Sequence, residues 1–103
     1  GTAVSGQGRN DAGSAATVVR LTVPDLGLAG TTLSLSLWLV PEGSEVVEGD
    51  RVVELLAAGV TIYLAAPASG LFARALVDED DVVFPGAVLA EFVVALDAGG
   101  RDE

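Results

Sequence analysis

Residues 42–55 read EGSEVVEGDRVVEL, and residues 79–92 read EDDVVFPGAVLAEF. The two segments align at a constant offset of 37, and each contains an acidic turn, a valine, a glycine turn and an apolar strand. The matched residues are Glu42 with Glu79, Val46 with Val83, Gly49 with Gly86, Val52 with Leu89, Glu54 with Glu91, and Leu55 with Phe92. Two copies are too few for a solenoid. The repeat therefore predicts a closed sandwich with a pseudo-two-fold axis, in which each half buries the apolar face of the other.

Short strand-like runs fill the chain around this repeat. The runs are TVVRLTV (17–23), TLSLSLWLV (32–40), DRVVELL (50–56), VTIYLAA (60–66), GLFARALV (70–77) and AVLAEFVV (87–94). Glycine and proline separate the runs, and the residues assigned to turns and strand starts are Pro24, Gly43, Gly49, Pro67, Gly70 and Gly86. No amphipathic helical stripe is present, so the sequence predicts an all-β fold with many short strands.

Alternation along residues 32–40 predicts which side chains of that strand share a face. Leu33, Leu35, Leu37 and Leu39 lie on one face, and Ser34, Ser36 and Trp38 lie on the other. Two aromatic residues, Trp38 and Tyr63, are candidates for a ligand surface. For Trp38, partial burial at the edge of a sheet fits the amphipathic indole better.

Segments rich in small residues lie at both ends of the chain. Residues 1–16 are predicted to be a flexible tail or linker, residues 17–96 a folded domain, and residues 97–103 a second flexible tail. Two explanations fit these tails: the domain is one module of a longer chain, or the termini are ordinary frayed ends.

The composition excludes several classes of function. The formal net charge is −10, from 15 acidic and 5 basic residues, and such a surface repels phosphate backbones and anionic lipids. The sequence therefore predicts no nucleic-acid partner and no membrane partner, and it favours a protein partner or other domains of the same chain. No apolar run is long enough to span a membrane. A cytoplasmic location is expected.

Three residue types that support catalysis or cofactor attachment are missing. The sequence contains no Cys and no His, and all five basic residues are Arg, so it contains no Lys. Thiolate chemistry, histidine-based acid–base catalysis and a side-chain amide to a cofactor are therefore excluded. We predict no catalytic residue and no metal ligand, and no enzyme activity for this chain alone.

The run Asp78, Glu79, Asp80 and Asp81 is the densest group of carboxylates. A Ca²⁺ or Mg²⁺ site needs several oxygen ligands that converge on one point. Consecutive residues of an extended chain point in opposite directions, so this run is interpreted as a solvated loop.

Four segments make the chain resemble the lipoyl/biotinyl carrier domain family. They are VPDLG (23–27), WLVPEGSEVVEGDRVVE (38–54), APASG (66–70) and VDEDDVVFPGAVLAEF (77–92). The resemblance covers residues 19–93, and PDLG and WLV favour the lipoyl domains of 2-oxo acid dehydrogenase acyltransferases over the biotinyl domains. It implies a flattened barrel of two four-stranded antiparallel sheets, with lipoate or biotin on a lysine at the tip of an exposed hairpin.

The resemblance also locates the position of that lysine, eight residues before the proline of the Ala-Pro pair. Here the proline is Pro67, so the acceptor position is occupied by Gly59, between Ala58 and Val60. Without an amine at this position, no lipoate or biotin is expected. The fold itself is expected to persist, because Gly59 suits a tight hairpin turn.

The stretch around Gly59 has two interpretations. It forms either an apolar docking tip or only a turn whose leucines point inward, and its residues are Leu55, Leu56, Ala57, Ala58, Gly59 and Val60. The preferred function is a non-lipoylated module with a structural or protein-interaction role in a larger protein. The alternative is a divergent swinging-arm carrier domain of an acyltransferase or a biotin-dependent carboxylase. Lipoyl-like adaptors of periplasmic efflux assemblies fit less well, because they usually carry a helical hairpin at the tip.

Overall fold

The computed structural model describes residues 16–28 and 30–95, and all regular structure in this part of the chain is β-strand. The strands are β1 (Ala16–Thr22), β2 (Leu33–Trp38), β3 (Glu45–Val46), β4 (Arg51–Ala57), β5 (Val60–Ala65), β6 (Gly70–Ala75), β7 (Val82–Val83) and β8 (Val88–Ala95). They form two four-stranded sheets: sheet A in the order β1-β8-β6-β3, and sheet B in the order β5-β4-β2-β7. All the pairings in these sheets are antiparallel. The prediction of an all-β sandwich of two four-stranded antiparallel sheets is confirmed.

The two sheets have the same topology, and their strands correspond to each other in order along the chain. Strands β2, β3 and β4 correspond to β6, β7 and β8, which lie 37 residues later in the sequence. Strand β1 corresponds to β5, which ends 43 residues after β1 ends. Strands and residues that correspond in this way are called repeat mates. The order β1-β8-β6-β3 becomes β5-β4-β2-β7 when each strand is replaced by its repeat mate. The predicted pseudo-two-fold relation therefore extends to all eight strands, and the link between β1 and β2 is longer than its counterpart between β5 and β6.

The core is built from matched positions of the two copies. The most deeply buried matched pairs are Leu35 with Phe72, Val52 with Leu89, Val53 with Ala90, and Leu55 with Phe92. The rings of Phe72 and Phe92 stack with their centroids 5.3 Å apart. Among the described residues no polar or charged side chain is buried. Burial of these apolar side chains between the sheets is thus the main source of stability.

A β-bulge changes the face of β2 after its third residue. Leu35 is paired with Leu55, but Leu37 is paired with the next residue, Glu54, so Ser36 is an extra residue without a partner. The repeat mate β6 has the same irregularity between its third and fifth residues. Because side chains alternate with a period of two, one extra residue inverts the direction of every side chain that follows.

The predicted alternation of residues 32–40 is therefore wrong beyond the bulge. Leu37 and Leu39 are exposed, whereas Trp38 and Val40 pack against the core. The ring of Trp38 lies 5.3 Å from that of Phe72, measured between centroids. The bulge places one large aromatic side chain between the sheets in exchange for two leucines.

Two glutamates link the copies reciprocally. Oε2 of Glu42 accepts a hydrogen bond from the backbone N–H of Ala75 at 2.7 Å. Oε2 of Glu79 accepts one from the backbone N–H of Trp38 at 3.0 Å. Trp38 and Ala75 are the last residues of β2 and β6 and are themselves repeat mates. Each acidic turn thus holds the end of a strand that belongs to the other copy.

Gly70 is required for a reason other than turn formation. A Cβ at this position would collide with the backbone carbonyl of Val93 on the adjacent strand β8.

The turn glycines Gly43, Gly49 and Gly86 have positive φ values of +92°, +95° and +87°. The prediction of turns at these three glycines is confirmed.

The C-terminal and N-terminal strands end the described part of the chain, which begins at Ala16 and ends at Ala95. β1 begins at Ala16, which was predicted to be the last residue of the N-terminal tail, and Ala16 is paired with Ala95 of β8. The other residues of the two predicted tails, 1–15 and 97–103, lie outside the described residues.

Candidate functional site: the tip of the β4–β5 hairpin

The hairpin between β4 and β5 ends in a two-residue loop. Ala57 is paired with Val60, which leaves Ala58 and Gly59 as the only loop residues. Their φ values are +49° and +81°, and two positive φ values are typical of a type I′ turn. Glycine adopts such a value freely, whereas the Cβ of Ala58 makes it unfavourable by roughly 1 kcal/mol.

Gly59 lies in open space at the end of the hairpin. It is exposed, and apart from Gly59 itself and its two chain neighbours no atom of the described structure lies within 4 Å of the point that its Cβ would occupy. A longer side chain at this position would extend into solvent without steric conflict, apart from the unfavourable backbone angle. The tip therefore has the geometry of a platform for a solvent-facing group.

Only part of the six-residue tip lies on the surface. Leu55 and Ala57 are 0% and 2% exposed, because alternate side chains of β4 point into the core. Their inclusion in an exposed docking tip is corrected accordingly. Leu56 and Val60 are 40% and 59% exposed. The prediction of docking thus reduces to these two side chains and the two-residue loop.

A shallow groove lies beside the tip. Leu33 at the start of β2 is paired with both Ala57 and Val83, so the β1–β2 link and the end of β7 come close to the hairpin. The groove is lined by residues of that link and by residues 82–85. Phe84 in its wall is 68% exposed, more than any other large apolar residue described. Sequence reasoning missed this groove; the unequal length of the two repeat links was its only signal.

The match to known proteins covers most of the folded unit. Residues 19–92 match the profile of the biotin–lipoyl family, which is described as "Biotin-requiring enzyme". The chain belongs to the biotin–lipoyl family. The predicted resemblance to lipoyl/biotinyl carrier domains is confirmed.

This biotin–lipoyl domain is similar to parts of two much larger proteins. It is 34% identical over 73 residues to the dihydrolipoyllysine-residue acetyltransferase component of the acetoin cleaving system of Pseudomonas putida, a match that covers 71% of this chain and 20% of that protein. It also matches the solved structure of a single-chain, multi-domain long-chain acyl-CoA carboxylase, with a TM-score of 0.59 and 25% identity. That match covers 81% of this chain and 7% of the carboxylase. The chain thus spans a small fraction of the length of each.

The two aromatic candidates do not share a surface in this biotin–lipoyl domain. Trp38 lies on the inner face of sheet B, half-buried, and its indole Nε1–H donates a hydrogen bond to the carbonyl of Val77 at 3.0 Å. Tyr63 is exposed on the outer face, where the guanidinium carbon of Arg51 lies 4.4 Å from the centroid of its ring. A ligand surface that joins Trp38 and Tyr63 is therefore incompatible with the fold.

The acidic run 78–81 forms a tight turn at the surface. The backbone N–H of Asp78 donates to Oδ2 of Asp81 at 3.1 Å, and Asp80 has a φ of +75°. All four residues are exposed. Within the described ranges, no group of three or more acidic side chains is arranged to hold a metal ion. The carboxylate of Glu79 is engaged with β2, so the run includes one structural contact that the sequence did not predict.

The part of the chain that the structure describes contains no helix that is long and apolar enough to cross a membrane.

Proposed function

We propose that this biotin–lipoyl domain carries no covalent cofactor and serves as a structural or protein-interaction module of a larger protein. The observation that carries the proposal is Gly59 at the tip of the β4–β5 hairpin, where the family resemblance puts the modified lysine. Lipoate and biotin are attached through an amide to a primary amine, and glycine has no side chain to provide one. The 103-residue sequence contains no lysine, so a shifted alignment supplies no other acceptor in it.

The rest of the domain supports a role as a scaffold. The repeat, the matched core and the reciprocal glutamate contacts are all present, and none of them involves the hairpin loop. These determinants of the fold do not depend on the residue that gives carrier domains their chemistry. We infer that the domain is retained for its shape and surface.

The test is intact-mass spectrometry after coexpression with a lipoyl ligase or a biotin ligase. The unaltered chain should show the mass of its sequence alone. The double variant Ala58→Asp/Gly59→Lys restores an amine at an open position and should gain a lipoyl group, at a cost in stability of about 1–2 kcal/mol from the positive φ. Ala58→Asp alone is the matched control, since it adds the flanking carboxylate without the amine. A cofactor mass on the unaltered chain contradicts the proposal.

A second candidate function is favoured by the names of the similar proteins. In this alternative the parent is an acyltransferase component or a carboxylase, and the domain occupies the place of its swinging-arm carrier in divergent form. The relatives are such proteins, and the chain matches only 20% of one and 7% of the other. Proteolysis and mass mapping of the full-length protein distinguish a module without a cofactor from a divergent carrier domain. Lipoyl or biotinyl lysine on a second, similar domain would make this copy a spacer.

We further propose that the partners are other domains of the same polypeptide or a separate protein, in the cytoplasm. The charge of −10 supports a protein partner with basic residues. Crosslinking of the full-length protein, followed by peptide mapping, identifies the surfaces that contact residues 16–95. Crosslinks confined to nucleic acid or to membrane lipid would contradict this assignment.

A further inference from the structure

The long edge strand of sheet B has backbone groups that no other described residue pairs with. The two sheets have four edges, and two of them, β3 and β7, are only two residues long. On β5, the hairpin loop makes Ala57 and Val60 a hydrogen-bonded pair. Along an antiparallel strand, the backbone N–H and C=O groups of successive residues point alternately toward and away from the neighbouring strand. Those of Thr61, Tyr63 and Ala65 therefore point away from β4. The register shift lies in β4, between Arg51 and Val53, so it does not interrupt the alternation along β5.

The β5 edge lacks the features that usually prevent edge-to-edge pairing. Its sequence, VTIYLA, contains no charged residue and no proline. Soluble proteins commonly place a charge, a proline or a bulge on such an edge. The other long edge, β1, contains Arg20, the repeat mate of Tyr63, which is ion-paired with Glu91 at 3.4 Å. Of the two corresponding edge strands, β1 is therefore protected against pairing with another chain and β5 is not.

We propose that two copies of this domain associate through β5, antiparallel, with Tyr63 on the two-fold axis. Thr61 of each copy then lies opposite Ala65 of the other, and the outward N–H and C=O groups of all three residues are hydrogen-bonded. Sheet B continues across the axis as a sheet of eight strands. Because the contact is isologous, it closes at the dimer.

The distribution of charge favours a dimer formed through β5 over a dimer formed in the same way through β1. In the β5 register no charged residue lies opposite another across the axis, because β5 contains none. Pairing of β1 with itself about the equivalent position would place Arg20 against Arg20, and like charges directly opposite are destabilising. The net charge of −10 on each copy opposes association as a whole, so the dimer should become stronger as salt screens this repulsion.

The first test is sedimentation equilibrium of the unaltered chain from about 10 µM to about 1 mM, the range suited to a small interface. The expected result is a monomer–dimer equilibrium that shifts toward the dimer when salt is raised. Thr61→Pro removes an outward N–H that β4 does not use and should weaken the dimer about tenfold or more. Val18→Pro, at the repeat-mate position on β1, is the matched control and should leave the dimer unchanged. Circular dichroism confirms that both variants remain folded.

The second test checks the register. Thr61→Glu/Ala65→Arg places opposite charges across the axis twice and should tighten the dimer, most strongly at low salt. Thr61→Arg/Ala65→Arg lowers the overall negative charge but places like charges across the axis, and it should weaken the dimer. A chain that stays monomeric at all concentrations, forms species larger than a dimer, or loses association equally in both proline variants overturns the proposal. Tighter association of the Arg/Arg variant than of the Glu/Arg variant also overturns it.

Discussion

Alanine at Glu42 or Glu79 should destabilise the domain by removing the bonds that join its two copies. The two carboxylates accept hydrogen bonds from the backbone N–H groups of Ala75 and Trp38, at 2.7 Å and 3.0 Å. Hydrogen bonds to charged groups contribute about 1.5–3 kcal/mol. Both glutamates are exposed, so we expect a loss at or below the low end of this range, about 1–1.5 kcal/mol for each substitution.

The measurement is urea and thermal unfolding of the single variants and of the double variant. For a domain of this size, a loss of that magnitude lowers the Tm by roughly 4–10 °C. The glutamine variants keep an oxygen acceptor and lose the charge, so they should lose about half as much. Both bonds join residues 38–42 to residues 75–79, so the loss in the double variant should deviate from the sum of the two single losses.

Glu48→Ala is the control, because Glu48 is an exposed glutamate in a neighbouring turn and, among the described residues, only its backbone N–H is bonded, to Ser69 Oγ. Its stability should stay within about 0.5 kcal/mol of the unaltered chain. The reasoning is refuted if Glu42→Ala and Glu79→Ala unfold at the same urea concentration as this control.

Two further substitutions test single backbone positions by thermal unfolding. Gly70→Ala should cost about 1–3 kcal/mol, because the added Cβ meets the carbonyl of Val93 and β6 must shift from β8; an unchanged Tm would show that the strands separate freely there. Ala58→Asn should raise stability by about 0.5–1 kcal/mol, because asparagine tolerates a positive φ in a type I′ turn better than alanine does. A lower Tm for Ala58→Asn would show that the loop does not depend on this backbone conformation.

The repeat predicted the fold because it also defines the core. Leu55 and Phe92 occupy equivalent buried positions, and Gly49 and Gly86 form equivalent turns.

The bulge at Ser36 was not predicted, because apolar and other residues alternate without a break along residues 32–40. The repeat did contain the missing signal: a charged residue, Arg74, occupies the position in β6 that Leu37 occupies in β2, and a charged side chain faces solvent.

The candidate site was less accessible to sequence reasoning. The family resemblance, through the spacing to Pro67, put the acceptor position at Gly59, and the structure places this residue in the hairpin loop. The division of the tip into buried Leu55 and exposed Leu56 follows from alternation along β4, once its inward face is known. The hydrogen bond from Ala75 to Glu42 joins residues 33 positions apart, and no local pattern indicates such a contact.

The central claim concerns the chemical state of the hairpin in the native protein. The most direct measurement is the mass of this domain, released by proteolysis from the full-length protein after expression in its own host. We predict the mass of the unmodified sequence, with no added group on any residue of the hairpin. A lipoyl or biotinyl mass localised by fragmentation to this domain would contradict the account.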